Sequence, residues 1–190
     1  MSLTAEKCLQ AWTNSLRQMN AKADYVFFGD SLTYYGDFAS VFPEKVVCNL
    51  GLRGDTILGM IDRIEQVKIL EPSKVYLMVG INDLTSYTPM QFEELYSTLI
   101  RKILLFLPKR ELIIQNILPV NDKLFNISCN NDQIAKCNDV INNLAIRFDL
   151  QLIDLFSEYK QNGVLPHELS IDGIHLSANG YNQWYRLIQE

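Results

Sequence analysis

The sequence has no apolar run long enough to cross a bilayer and no excess of positive charge. A membrane-spanning helix needs about 20 consecutive apolar residues, and the 190 residues contain no such stretch. Lysine and arginine number 17 against 22 aspartate and glutamate residues, which gives a net charge of -5. Because nucleic-acid-binding proteins present basic patches to phosphates, we expect no nucleic-acid binding. Because no apolar run is long enough, we also expect no integral membrane association.

Cysteine and histidine are also scarce, which limits disulfide and metal chemistry. The 4 cysteines form no CxxC pair and no zinc-like cluster with either histidine. We therefore expect free thiols, no metal and no cofactor. The first residues lack the charged-then-apolar layout of a signal peptide. This favours the cytoplasm, and a periplasmic or secreted location remains open if a signal peptide has been removed.

Five short apolar runs predict β-strands, and helical stretches separate them. The predicted strands are Asp24–Gly29, Lys45–Gly51, Lys74–Gly80, Glu111–Ile117 and Gln151–Leu155. Their nearly continuous apolar character is typical of strands buried on both faces of a parallel sheet. The predicted helices are Thr4–Ala21, Asp55–Leu70, Pro89–Phe106, Asn131–Phe148 and Ser177–Gln189. This alternation predicts an α/β fold with helices on both faces of the sheet. We expect one domain over residues 1–190, with the N-terminal helix in residues 1–22 packed on it.

Three of the predicted strands end in turns that contain glycine. The turns are Gly29-Asp30-Ser31, Gly51-Leu52-Arg53-Gly54 and Gly80-Ile81-Asn82-Asp83. Ligands of parallel sheets bind outside the carboxyl ends of the strands. The sequence therefore predicts that the chemistry lies where these turns meet.

Ser31, Asp172 and His175 are candidates for a nucleophile and its base. Ser31 directly follows the first predicted strand and heads the next helix, where backbone N–H groups lie close by. Asp172 precedes His175 on a turn opened by Gly173, an offset that lets the carboxylate reach Nδ1 while Nε2 faces a serine. Taken singly, Ser31 also fits a helix N-cap, and His175 also fits a surface loop.

Ester hydrolysis further needs hydrogen-bond donors for the oxyanion, and Asn82 and Gly51 are candidates. The amide of Asn82 stands at the end of the third predicted strand and can donate to an oxyanion. Gly51 can offer its backbone N–H, because a residue without Cβ lets a substrate approach closely. Each also has an ordinary structural explanation, an Asx turn for Asn82 and a turn glycine for Gly51.

The four segments together resemble the four ordered blocks of the SGNH (GDSL-like) hydrolases. In chain order they are Gly29-Asp30-Ser31-Leu32, Asn49-Leu50-Gly51-Leu52-Arg53-Gly54-Asp55-Thr56, Gly80-Ile81-Asn82-Asp83 and Asp172-Gly173-Ile174-His175. The resemblance implies a flavodoxin-like three-layer α/β/α sandwich whose five-stranded parallel sheet has the order 2-1-3-4-5. The middle blocks are most similar to the branch of platelet-activating-factor acetylhydrolase and carbohydrate O-acetylesterases. The Gly-x-Ser-x-Gly motif of α/β-hydrolases is absent around Ser31.

The resemblance implies a role for each candidate. Ser31 would be the nucleophile, His175 the general acid–base, and Asp172 the residue that orients His175. The oxyanion hole would consist of the Ser31 N–H, the Gly51 N–H and the Asn82 side chain. The protein would then be a serine esterase that forms an acyl-enzyme, with a small-molecule ester as its substrate. A homodimer is also implied.

The substrate is predicted to be a short-chain acyl ester, acetyl above all, of a carbohydrate or another small alcohol. Arg53 is a candidate contact for an anionic or polyhydroxylated leaving group. Asp30 and Asp83 are further candidate contacts, although they match motif positions that usually brace loops. A lysophospholipase or thioesterase activity remains open within the same class of enzyme.

Two alternatives come from outside the esterases. One is a non-catalytic flavodoxin-like domain that binds phosphate at residues 29–36, which leaves Asp172 and His175 without a role. The other is a metal hydrolase that uses His167, Asp172 and His175, although the HExxH pattern is missing.

Overall fold

A five-stranded parallel sheet forms the centre of the computed structural model, which describes residues 3–189. The strands are β1 (Tyr25–Gly29), β2 (Val47–Gly51), β3 (Lys74–Met78), β4 (Leu112–Gln115) and β5 (Gln151–Ile153). Their order is β2-β1-β3-β4-β5, and every neighbouring pair is parallel. The predicted α/β fold and strand order are confirmed. In the register, Gly29 pairs with Gly51 and Met78, so β1, β2 and β3 end at the same level.

Eight α-helices accompany the sheet in the part of the chain that the structure describes. They are α1 (Leu3–Gln18), α2 (Ser31–Tyr34), α3 (Ile57–Asp62), α4 (Glu65–Ile69), α5 (Pro89–Leu104), α6 (Asn131–Phe148), α7 (Leu155–Tyr159) and α8 (Ala178–Leu187). Between residues 3 and 189, none is both long and apolar enough to cross a membrane. Helix α1 lies against α4, where Arg17 Nη2 donates to Glu65 Oε1 at 3.0 Å.

Two apolar cores, one on each face of the sheet, produce the three-layer arrangement. Along β1, Val26 and Phe28 enter one core while Phe27 enters the other. Helices α3, α4, α5 and α6 supply the first core, and α2, α7 and α8 supply the second. Successive strand residues point to opposite faces, so a run such as Val26-Phe27-Phe28 is buried throughout. This is why the strands are continuously apolar.

The helix predicted over Asp55–Leu70 is wrong in one respect, because the structure divides it into α3 and α4. The chain leaves the helical conformation at Arg63, where φ is -108° and ψ is 13°. The Arg63 side chain is buried beneath the ends of β1 and β2, where it bonds to backbone carbonyls. Tertiary hydrogen bonds have therefore overridden a helical apolar pattern that continues through this point.

Candidate active site

The turn between β1 and α2 places Ser31 at the carboxyl end of the sheet. Asp30 caps α2, and its Oδ1 accepts the Leu32 N–H at 2.9 Å. Gly29 permits the tight turn, because a Cβ at this position would lie 2.1 Å from Thr33 Oγ1 and 2.5 Å from the Met78 carbonyl oxygen. Ser31 is thus held at the head of a short helix, with its hydroxyl at the edge of a cavity.

Ser31, His175 and Asp172 form a continuous chain of hydrogen bonds. Ser31 Oγ lies 3.0 Å from His175 Nε2, and His175 Nδ1 lies 2.7 Å from Asp172 Oδ2. These distances allow Nε2 to accept the serine proton while Nδ1–H donates to the carboxylate. The structure therefore brings together the three residues that the sequence proposed for the triad.

A tight turn sets the geometry of Asp172 and His175. Asp172 Oδ1 accepts the N–H groups of Ile174 and His175 at 3.0 and 2.8 Å, and Gly173 between them has a φ of +89°. Burial raises the pKa of Asp172, but the hydrogen bonds from His175 Nδ1 and from the two backbone N–H groups outweigh it and hold the pKa below its usual value. The carboxylate therefore stays ionised beside the imidazole.

A cavity of about 630 Å³ lies next to this chain of residues. Its walls include Ser31, Arg53, Gly54, Asn82 and His175. Four of these residues follow the ends of β1, β2 and β3, as the topology rule for parallel sheets predicts. The volume of the cavity falls within the range that is typical of small-molecule sites, about 300–1,000 Å³.

Asn82 is oriented by a hydrogen bond from its side chain to the neighbouring loop. Its Nδ2 donates to the carbonyl oxygen of Asp55 at 2.9 Å. An amide NH₂ group carries two hydrogens, so the second one is available to a ligand in the cavity that Asn82 lines. This arrangement suits a preplaced oxyanion donor.

The prediction that the Gly51 N–H is a donor of the oxyanion hole is wrong. That N–H donates to Asn49 Oδ1 at 2.8 Å, and a Cβ at Gly51 would lie 2.2 Å from the backbone nitrogen of Tyr34. Gly51 therefore serves the packing of β2 against α2. The glycine on the cavity wall is Gly54, whose φ is +72° and whose missing Cβ faces open space. The sequence feature that could have pointed to Gly54 is its position as the second glycine of the turn that begins at Gly51.

Asp30 and Asp83, proposed as substrate contacts, are both buried, so that prediction is also wrong. Asp30 is 1% exposed and Asp83 is 0% exposed. Asp83 accepts the N–H of Ile57 at 3.2 Å. Burial, reinforced by nearby carboxylates, raises the pKa of Asp30 to about 7 and that of Asp83 to about 6. Both residues brace loops below the cavity.

Arg53, the third proposed contact, is exposed on the cavity wall. Its guanidinium lies 5.8 Å from the centre of the Tyr35 ring, and the Tyr35 ring lies edge-on to His175 at 5.7 Å. The Tyr35 ring therefore lies close to both the Arg53 guanidinium and the His175 imidazole. Tyr35 was not a sequence candidate, since its proximity to His175 depends on folding.

His167, a candidate ligand of the alternative metal hydrolase, lies away from this chain of hydrogen bonds and stacks on Phe125 with ring centres 6.0 Å apart. Within residues 3–189, no group of three or more His, Cys, Asp or Glu side chains is placed to hold a metal ion. The trio His167, Asp172 and His175 is therefore not assembled as ligands.

Comparisons with known proteins identify the family and agree with the fold. The model of the GDSL-like Lipase/Acylhydrolase family matches residues 27–183. The N-acylneuraminate cytidylyltransferase of Streptococcus agalactiae is 24% identical over 161 residues, which are 85% of this chain and only 37% of that protein.

Solved structures share the architecture. A Streptococcus pneumoniae protein named for platelet activating factor has a TM-score of 0.82 at 21% identity, over 100% of this chain and 98% of its own. The Enterococcus faecalis lipase/acylhydrolase has a TM-score of 0.75 at 24% identity, over 86% and 92% of the two chains. The acetyl xylan esterase AlAXEase has a TM-score of 0.74 at 21% identity, over 87% and 97%. At these identities the likeness shows the fold.

Proposed function

We propose that this chain, which belongs to the GDSL-like lipase/acylhydrolase family and is a serine ester hydrolase, uses Ser31 to cleave short acyl esters through an acyl-enzyme. The observation that carries the proposal is the chain of hydrogen bonds from Ser31 Oγ to His175 Nε2 at 3.0 Å and from His175 Nδ1 to Asp172 at 2.7 Å. Such a chain activates a hydroxyl that is otherwise a weak nucleophile.

The proposed reaction has two halves. His175 Nε2 takes the proton of Ser31 as Oγ attacks the ester carbonyl carbon, and Asp172 stabilises the imidazolium that forms. His175 then gives the proton to the leaving alcohol as the carbon–oxygen bond breaks, which leaves the acyl group on Ser31. In the second half a water molecule attacks the acyl carbon as His175 takes its proton, and His175 returns that proton to Ser31 Oγ as the bond from the acyl carbon to Oγ breaks and the acid leaves.

The charge that develops on the carbonyl oxygen needs donors in fixed positions. We assign this role to the N–H groups of Ser31 and Gly54 and to Nδ2 of Asn82. Support comes from the place of all three residues on one cavity wall and from the bond that orients Asn82 against Asp55. Gly54 replaces Gly51 in the set that the sequence proposed.

For the substrate, we propose acetyl esters of carbohydrates. The similar structure AlAXEase is named an acetyl xylan esterase, and the curated relative is named for N-acylneuraminate, an acidic sugar. Tyr35 and Arg53 beside His175 add support, because the leaving alcohol must lie near His175. An aromatic ring and a cation suit a sugar that carries a negative charge.

Hydrolysis of p-nitrophenyl acetate by the wild type and by Ser31→Ala tests the mechanism. We expect Ser31→Ala to lose several orders of magnitude in kcat. Ser15→Ala, at an exposed serine on α1, is the matched control and should keep full activity. A folded Ser31→Ala protein that remains active would refute the proposed nucleophile.

A panel of natural esters tests the substrate. It contains acetylated xylose, an O-acetylated sialic acid, a lysophospholipid and an acyl thioester. We expect acetylated sugars to give the highest kcat/KM, and Arg53→Ala to lower kcat/KM for the acidic sugar more than for the neutral one. Preference for the lysophospholipid or the thioester would contradict the acetyl-sugar proposal while leaving Ser31 as nucleophile.

A further inference from the structure

Arg63 is a buried cation whose side chain bonds to the segments that carry the active site. It is 2% exposed. Its Nη2 donates to the carbonyl oxygen of Gly29 at 3.0 Å, and its Nη1 donates to that of Leu50 at 2.8 Å. Its Nε donates to Asp55 Oδ2 at 2.7 Å. One side chain therefore connects the end of β1, the end of β2 and the loop that precedes α3.

Two of these three contacts are close in sequence to a proposed oxyanion donor. Gly29 lies two positions before Ser31, and Asp55 directly follows Gly54. The Asp55 carbonyl oxygen accepts the hydrogen bond that orients Asn82. The N–H groups of Ser31 and Gly54 and the amide of Asn82 thus come from separate segments that Arg63 holds, directly or through Asp55.

We propose that Arg63 is a positioning residue that aligns the three oxyanion donors without touching the substrate. This inference rests on the proposed function of Ser31. A guanidinium is suited to the task, because its planar fork can donate to several acceptors in fixed directions, whereas an ammonium acts as a point charge. The guanidinium also lies 4.4 Å from the Phe28 ring centre, which restricts its position further.

Arg63 also balances buried negative charge near the place where the oxyanion forms. The salt bridge to Asp55 is almost fully buried, with side-chain exposures of 1% and 6%. Asp30 and Asp83 lie close enough to influence the same charges. Without Arg63, Asp55 is an unpaired carboxylate close to the developing negative charge, which opposes the transition state.

Kinetics of Arg63→Lys and of the double variant Arg63→Gln/Asp55→Asn test the inference on p-nitrophenyl acetate. Arg63→Lys keeps the positive charge but loses the planar fork of N–H donors. The double variant removes both charges, so that neither charge is left buried without its partner. We expect kcat to fall by about 10–100-fold with KM changed by less than about threefold, since the loss acts on the transition state. The double variant covers the case in which Arg63→Lys does not fold.

A second readout separates positioning from general stability. A short alkyl trifluoromethyl ketone adds to the serine hydroxyl and places an oxyanion in the hole, so its affinity should fall in parallel with kcat/KM. Leu144→Ala, in the fully buried part of α6, is the control. It should lower Tm while leaving kcat and ketone affinity unchanged.

Three outcomes would overturn the inference. One is a folded Arg63 variant whose kcat stays within about twofold of the wild type. Another is a lower kcat with unchanged ketone affinity. The third is failure of both variants to fold together with a full-activity Asp55→Ala enzyme, since the Asp55 side chain joins Arg63 to the residue whose carbonyl oxygen orients Asn82. Loss of activity in Ser31→Ala is independent of all three, so the proposed nucleophile and this inference can fail separately.

Discussion

Asp30→Asn should make the folding stability of this protein less dependent on pH. Asp30 is buried directly before Ser31 and caps α2 through Leu32. Asparagine offers the same oxygen to the Leu32 N–H and is an equally good cap. The substitution therefore removes a titratable group while it retains the hydrogen bond.

The magnitude follows from the shift in pKa. Burial raises the pKa of Asp30 from 3.8 to about 7. A carboxyl group with a raised folded-state pKa binds more protons when folded, so its stabilising contribution is present at low pH and is lost as the pH rises from 3.8 through about 7. Between about pH 5 and about pH 8.5 the loss is on the order of 3 kcal/mol, since one pKa unit corresponds to about 1.4 kcal/mol.

Urea unfolding of the wild type and Asp30→Asn at these two pH values measures the effect. The free energy of unfolding of the variant minus that of the wild type should be about 3 kcal/mol more positive near pH 8.5 than near pH 5, because the wild type loses stability as Asp30 ionises. Other titrating groups are common to both proteins and cancel in the difference. A difference that stays the same at both pH values would show that Asp30 ionises in its ordinary range, and would refute the reasoning.

Three further substitutions test the site and its support. Gly51→Ala should lower the free energy of unfolding by about 3 kcal/mol in urea titrations, because its Cβ would lie 2.2 Å from the Tyr34 nitrogen; unchanged stability would contradict the close packing. Asn82→Ala should lower kcat by about 10²–10³-fold with little change in KM, and normal kcat would remove Asn82 from the oxyanion hole. Asp172→Asn should lower kcat by about 10⁴-fold, checked by steady-state kinetics on folded protein, and a small loss would show that His175 needs no carboxylate.

Strand positions were predictable because both faces of the sheet are buried. Val26, Phe27 and Phe28 are all apolar, whereas a strand buried on one face only typically alternates apolar and polar residues. The break between α3 and α4 was not predictable, because apolar residues keep their helical spacing through Arg63. What ends α3 is a set of bonds to Gly29 and Leu50, which are distant in sequence.

The site was predictable where its chemistry is local. The Asp172–His175 pair lies within one turn, and the spacing that brings its members together is visible in the sequence. The sequence could not show whether Gly51 or Gly54 supplies the backbone donor, because the two glycines of this turn are distinguished only by the path of the backbone. Asp30 also misled, since a charged residue beside a nucleophile suggests a surface, whereas its carboxylate is enclosed.

The two hydrogen bonds of the proposed triad join residues at very different separations in the sequence. Asp172 and His175 are separated by 3 positions, whereas Ser31 and His175 are separated by 144. The acid–base pair can therefore survive as a local unit when the domain loosens, while the serine contact depends on the C-terminal turn docking against α2. Activity should accordingly be a more sensitive reporter of mild denaturation than helix content, and inactivation should precede the loss of secondary structure.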